Sequence, residues 1–145
     1  MNDIKIKMDK SSINQVCNNL KNSINIVTSA GLAAINNQAE KIYNKANDTC
    51  PTASGTLKST LYKESEIAGD NIQAIVGHGG TYDKTNPVTG ENADSYAVEV
   101  HESYKITSAN RANGATWKWL EKAFNNQSKN FEEEISSYLL SILGG

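Results

Sequence analysis

The chain has 145 residues, a formal net charge of −2 and a hydrophobic fraction of 38%, which suits one domain with a thin core rather than two domains. Its basic residues are scattered along the chain, without the clustered Lys and Arg of a nucleic-acid footprint, so DNA readout is excluded as an expectation. Cys17 and Cys50 are too few and too far apart for a disulfide scaffold or a metal knuckle, and no window approaches the roughly 18 apolar residues of a membrane span.

At the start of the chain, residues 1–7 hold no apolar run of signal-peptide length, so the expectation is free thiols in a reducing cytoplasm and no membrane partner. Ile4, Ile6 and Met8 alternate with charged residues, and this period of two predicts a short edge strand within residues 1–10. Such an edge offers unpaired backbone groups to a neighbour, which makes Ile4, Ile6 and Met8 candidate interface residues.

Ser11 or Ser12 is placed to cap a helix whose apolar positions are Ile13, Cys17, Leu20, Ile24, Val27, Ala34, Ile35, Ala39, Ile42 and Ala46. A helix over residues 12–48 would be roughly 54 Å long, more than the width of a domain this size, so it either bends near Gly31 or projects. Its other face is Asn, Ser, Lys and Gln and suits solvent. Pro51 lacks an N–H and pushes Cys50 out of the α region, which stops that helix. Gly55 then allows a backbone conformation other residues resist, and Leu57, Ser59 and Leu61 suggest one helical turn or tight bend launching the next segment.

Residues 60–67 are polar but strand-compatible, Gly69-Asp70-Asn71 supplies turn chemistry, and Ile72, Ala74 and Val76 alternate with Gln73, Ile75 and Gly77. That pattern predicts a hairpin. Residues 77–95 hold Gly79-Gly80, Asn86-Pro87 and Thr89-Gly90 with no periodicity, and are expected to form a projecting loop carrying the candidate interface residues Tyr82 and Pro87. Tyr96, Val98 and Val100 alternate with Ala97, Glu99 and His101, which predicts another strand; a short turn of helix at Tyr96-Ala97 competes with it. After a polar stretch, Thr116 offers a cap for a last helix with apolar positions Trp117, Leu120, Phe124, Phe131, Ile135, Tyr138, Leu139 and Ile142. The expected fold class is α+β in a single domain over residues 1–145: N-terminal edge strand, long helix, small mainly antiparallel sheet with a long loop, and a C-terminal helix packed on the sheet.

Catalytic chemistry does not assemble from these residues. Gly77-His78-Gly79-Gly80 lacks the spacing and the Lys of a phosphate loop, His101-Glu102 offers two metal ligands without a third or fourth, and neither HExxH nor Cys-x-x-Cys occurs. No enzyme activity, cofactor or metal is expected. Trp117 and Trp119 fall on different faces of their helix, and the expectation is one tryptophan in the core and one at an interface, with Trp119 assigned to the interface.

The order of these motifs carries more than any one of them. A long Ala-containing helix is followed by Pro51, Gly55, Leu57 and Ser59, then a hairpin, then Tyr96, Ala97 and Glu99, then a helix led by Trp117 and Leu120. Over roughly residues 30–140 this resembles the small neck proteins of tailed bacteriophages, a family variously called head-tail connector, tail-completion or minor capsid proteins. It departs in having His101 where the family usually places a Gly, and a longer connection before the Tyr-Ala pair. The resemblance implies a structural ring subunit of the virion neck, assembled in the host bacterial cytoplasm. Its partners would be copies of itself, six favoured over twelve, with a portal or adaptor on one side and tail-terminator or tail-tube proteins on the other. DNA would only pass through the channel. The other reading of the same residues is a non-enzymatic binding module that uses the long helix as a coiled-coil arm.

Overall fold

The computed structural model describes residues 9–52, 55–103 and 114–144, so the expected edge strand with Ile4, Ile6 and Met8 lies outside the described residues. One helix, α1 (Lys10–Thr49), runs unbroken through Gly31 for 40 residues, or roughly 60 Å, and its first half stands exposed. Its cap is Asp9 rather than Ser11 or Ser12. The Asp9 carboxylate accepts the Ser12 N–H and the Ser12 hydroxyl, both at 2.9 Å. A carboxylate at that position answers an orphan N–H of the first turn and the positive end of the helix together, which a hydroxyl does less well. At the other end Cys50 is extended, with φ −68° and ψ 134°, as the residue before a proline must be.

Beyond Pro51 the chain turns through Gly55, at φ 75°, into one helical turn, α2 (Thr56–Ser59). Strands β1 (Leu61–Ala68) and β2 (Asn71–His78) then form the expected antiparallel hairpin, with Gly69 and Asp70 as its two-residue turn. Ile72, Ala74 and Val76 face inward and are half-buried, while Gln73 and Ile75 are exposed. The hairpin lies across α1, where Lys63 of β1 pairs with Glu40. The core forms where these elements meet: Ile42 and Ala46 from α1, Cys50 just beyond it, then Leu57, Leu61, Ala93, Trp119 and Ala123.

Residues 77–95 are not a projecting loop. Gly77 and His78 complete β2, Gly80–Tyr82 make a 3-10 turn, and the Tyr82 ring stacks on Tyr62 of β1 with centroids 4.9 Å apart. Asn86 is buried; its N–H donates to the Glu91 carbonyl at 2.7 Å and its side-chain oxygen accepts from Val88. Asp83 accepts the N–H groups of Lys84 and Asp94. Turn hydrogen bonds within the backbone and these side chains together satisfy a segment that has no long ladder of its own, which is how a stretch without periodicity stays on the body.

The segment around Tyr96 is a helix, α3 (Ala93–Glu102), not a strand. The competing helical reading is the correct one. Ala93, Tyr96, Ala97 and Val100 fall at i, i+3, i+4 and i+7 and face the core, whereas Val98, the residue on which the alternation also depends, is 73% exposed. The C-terminal segment is likewise two helices, α4 (Trp119–Ser128) and α5 (Phe131–Leu143), with the break at Lys129 and Asn130. Helix α4 begins after Lys118 rather than at Thr116. Both helices lie along α1, and α4 shares the core with Leu61 and Val76 of the sheet.

Candidate functional site

Trp119 stands at the centre of the core, fully buried between two histidine rings. Its indole N–H donates to Nε2 of His78 at 3.0 Å, and His78 Nδ1 lies 3.0 Å from the Leu57 carbonyl. An Nε2 that accepts fixes the proton on Nδ1, so His78 is the neutral tautomer and donates to Leu57. Burial lowers its pKa, and the nearby His101 acts the same way, outweighing the Leu57 bond. On the other side the His101 ring meets Trp119 edge-on at 4.8 Å, and its Nδ1 is 2.8 Å from Glu102. Both nitrogens of His78 are thus committed to internal hydrogen bonds. The cluster locks β2, the α2 turn, α3 and α4 together.

This placement reverses the expected roles of the two tryptophans. Trp119, expected at an interface, is in the core, while Trp117 is 38% exposed and has the Lys122 ammonium 4.8 Å from its ring centre. The two tryptophans lie two residues apart on the approach to a helix, and the core built from Ile42, Leu57, Leu61 and Ala93 takes Trp119 and leaves Trp117 outside. The other motif residues divide similarly. Leu57 is buried, and Tyr96, Ala97 and Leu120 pack against the core. Pro51 is buried and Gly55 sits at positive φ. Ser59 is exposed, with its hydroxyl donating to the Thr56 carbonyl, and Glu99 is exposed on α3. Of the remaining expected interface residues, Pro87 is exposed; Tyr82 is 45% exposed but is held by its stack on Tyr62 and by a 2.8 Å hydrogen bond to Glu64, which raises its pKa.

Two surfaces stand out as available for binding. The first is a groove of about 800 Å³. Its floor is Ile35, Ala39 and Ile42 of α1, and Ile72 through Val76 of β2 form one wall. Leu120 and Phe124 of α4 and Phe131 of α5 form the other. Among the described residues β2 pairs only with β1, and its Ile72 to Val76 segment lines this space. At the end of the groove Gln38, almost fully buried, accepts from Gln127 at 2.7 Å and donates to Glu134 at 3.0 Å. Lys41 also bonds Glu134, at 2.6 Å, and this charge-assisted contact, followed by Gln38, lowers the Glu134 pKa.

The second surface is the first half of α1. Every residue from 9 to 27 is exposed, and the helix is first covered near Ala30. Ile13, Cys17, Leu20, Ile24 and Val27 follow one another by four and three, a 3.5-residue period that places them on one stripe. Leu20 and Ile24 are 58% and 63% exposed. A helix of this length and composition is marginal in water unless its apolar face is covered.

Among the described residues no three His, Cys, Asp or Glu side chains gather as a metal site, and no helix is long and apolar enough to cross a membrane. Compared with known proteins, the chain matches no family model, no curated protein and no solved structure.

Proposed function

We propose that the chain is a structural subunit that assembles with copies of itself into a ring at the head-tail junction of a tailed bacteriophage, lining or sealing the DNA channel. The observation that carries the reading is the free half of α1, whose exposed Ile13, Leu20, Ile24 and Val27 require a protein cover. A lone monomer gains nothing from that stripe, whereas a subunit in an assembly uses it. The order of Pro51, Gly55, Leu57, Tyr96, Ala97 and Leu120 supports the phage reading through the resemblance given above. Most of those residues serve the core, so the resemblance bears on a shared body rather than on a reaction centre. Six copies are proposed, with portal or adaptor and tail proteins above and below.

The heptad-like period of the stripe favours one second reading, a binding module whose arm enters a coiled coil with a different protein. Cryo-electron microscopy of phage particles carrying the chain separates the two. The ring reading expects cyclic density for this chain around the central channel of the neck; a single copy, or absence from particles, removes it.

A further inference from the structure

The arm stripe and the groove are both apolar and both uncovered among the described residues, yet they cannot meet within one copy. α1 is a single helix from Lys10 to Thr49, and the floor of the groove belongs to its second half. An unbroken helix cannot bring its first half back onto its second. We propose that the arm of one copy lies in the groove of the next, head to tail.

Charge selects this occupant over a second arm. After the Asp9 cap, residues 10–39 carry Lys10 and Lys21 and no Asp or Glu, while Glu132 and Glu133 stand exposed with Lys129 beside the groove's Phe124–Phe131 wall and Glu121, which lines the groove, is paired with Lys118. Two arms side by side would set lysines against an acid-free surface; an arm in the groove sets them against carboxylates. The apolar content matches too, since the stripe offers Ile and Leu side chains to a space walled by Ile, Val, Leu and Phe.

A contact of this kind is heterologous: each copy uses one surface and leaves the other for its next neighbour, so a suitable rotation closes a ring and an unsuitable one extends a filament. The inference deepens the assembly reading and rests on it for closure, but the contact can be tested without particles.

Cys17 lies in the stripe and is exposed, while Cys50 is buried with its thiol pushed up to about 12, so the native chain carries one reactive sulfur. The wild-type chain is mixed with a Cys17→Ala/Phe124→Cys chain under mild oxidation. Mixed disulfide dimers are expected, and Ile24→Asp in the wild-type partner should abolish them. A Cys17→Ala/Asp70→Cys chain, with its thiol at the exposed hairpin tip, serves as the collision control. Predominant Cys17–Cys17 links, or mixed links no faster than to residue 70, overturn the contact. Since Phe124→Cys itself thins the groove, sedimentation of the otherwise native chain gives a second reading. Association that persists in a Leu20→Asp/Ile24→Asp chain also overturns it. Arm-to-groove links from a chain absent from phage necks would uphold the contact and remove the ring; a neck ring whose copies link Cys17 to Cys17 would do the reverse.

Discussion

The indole N–H of Trp119 and Nε2 of His78, 41 residues apart in sequence, meet at 3.0 Å in the middle of the core. That bond joins the last residue of β2 to the first residue of α4, and it makes Trp119 a linking residue as well as a filler. Trp119→Phe keeps most of the packing and removes the donor, leaving a buried acceptor unpaired. A loss of about 1–3 kcal/mol is expected in urea unfolding, against about 3–5 kcal/mol for Trp119→Ala. Equal stability of Trp119→Phe and wild type would show that the bond contributes nothing.

The same histidine sets a pH dependence. Its pKa in the folded chain lies below the ordinary 6.5, chiefly through burial. Below pH 6.5 the unfolded chain therefore binds the proton that the folded chain refuses. Stability from this group is complete above 6.5 and is lost as pH falls through the folded value. Glu134 and Glu102, whose pKa values are lowered by Lys41 and His101 respectively, add their own losses only below the ordinary 4.5. Urea midpoints between about pH 7.5 and 5 should fall in the wild type and stay nearly flat in His78→Gln.

Gly79 and Asp94 form a close approach that a side chain at 79 would disturb. Gly79 has φ 77°, and a Cβ there would lie 1.3 Å from Asp94 Oδ1, the carboxylate that accepts the Gly80 N–H. Gly79→Ala must swing the exposed Asp94 carboxylate off the Gly80 N–H as well as strain the backbone, and a loss of about 2–4 kcal/mol is expected. Gly90 has φ 75° with open space around it, so Gly90→Ala should cost only about 1–2 kcal/mol. Thermal midpoints of the two variants that coincide would contradict the clash.

Gln38 joins three helices through Gln127 and Glu134. Gln38→Ala removes one partner from each, although Gln127 and Glu134 still bond one another and Lys41 still bonds Glu134, and should lower stability by about 1 kcal/mol. Gln38→Glu should be worse at neutral pH than near pH 4, since it sets a second carboxylate against Glu134. Chemical unfolding at the two pH values checks this, and a variant equally stable at both would refute it.

Leu20 and Ile24 repeat the apolar pattern of Ile42 and Ala46 without sharing their burial. Leu20→Asn/Ile24→Asn should leave the stability of dilute monomer within about 0.5 kcal/mol of wild type, whereas Leu57→Ala should cost about 2–5 kcal/mol. Urea unfolding at low chain concentration distinguishes them.

Local chemistry fixed much of this fold in the sequence itself. Pro51 dictates the end of α1, Gly55 the left-handed turn after it, and Gly69-Asp70 between two alternating runs dictates the hairpin, because each acts on its own φ and ψ or on its immediate neighbours. The apolar stripe of α1 is equally legible, since period depends only on order along the chain.

Which part of a stripe is covered is another matter. The same four-residue step separates Leu20 from Ile24 and Ile42 from Ala46, and only the arrival of β1, β2, α4 and α5 makes one half of α1 core and leaves the other as an arm. Ala93 to Glu102 satisfies both a strand and a helix period over so few residues, and packing of Ala93, Tyr96, Ala97 and Val100 against the core accompanies the helix. The groove, the His78–Trp119 bond and the burial of Trp119 instead of Trp117 all join residues far apart in the chain. Their energies come from desolvation and contact in three dimensions, which no local pattern encodes, so the tertiary structure alone decided them.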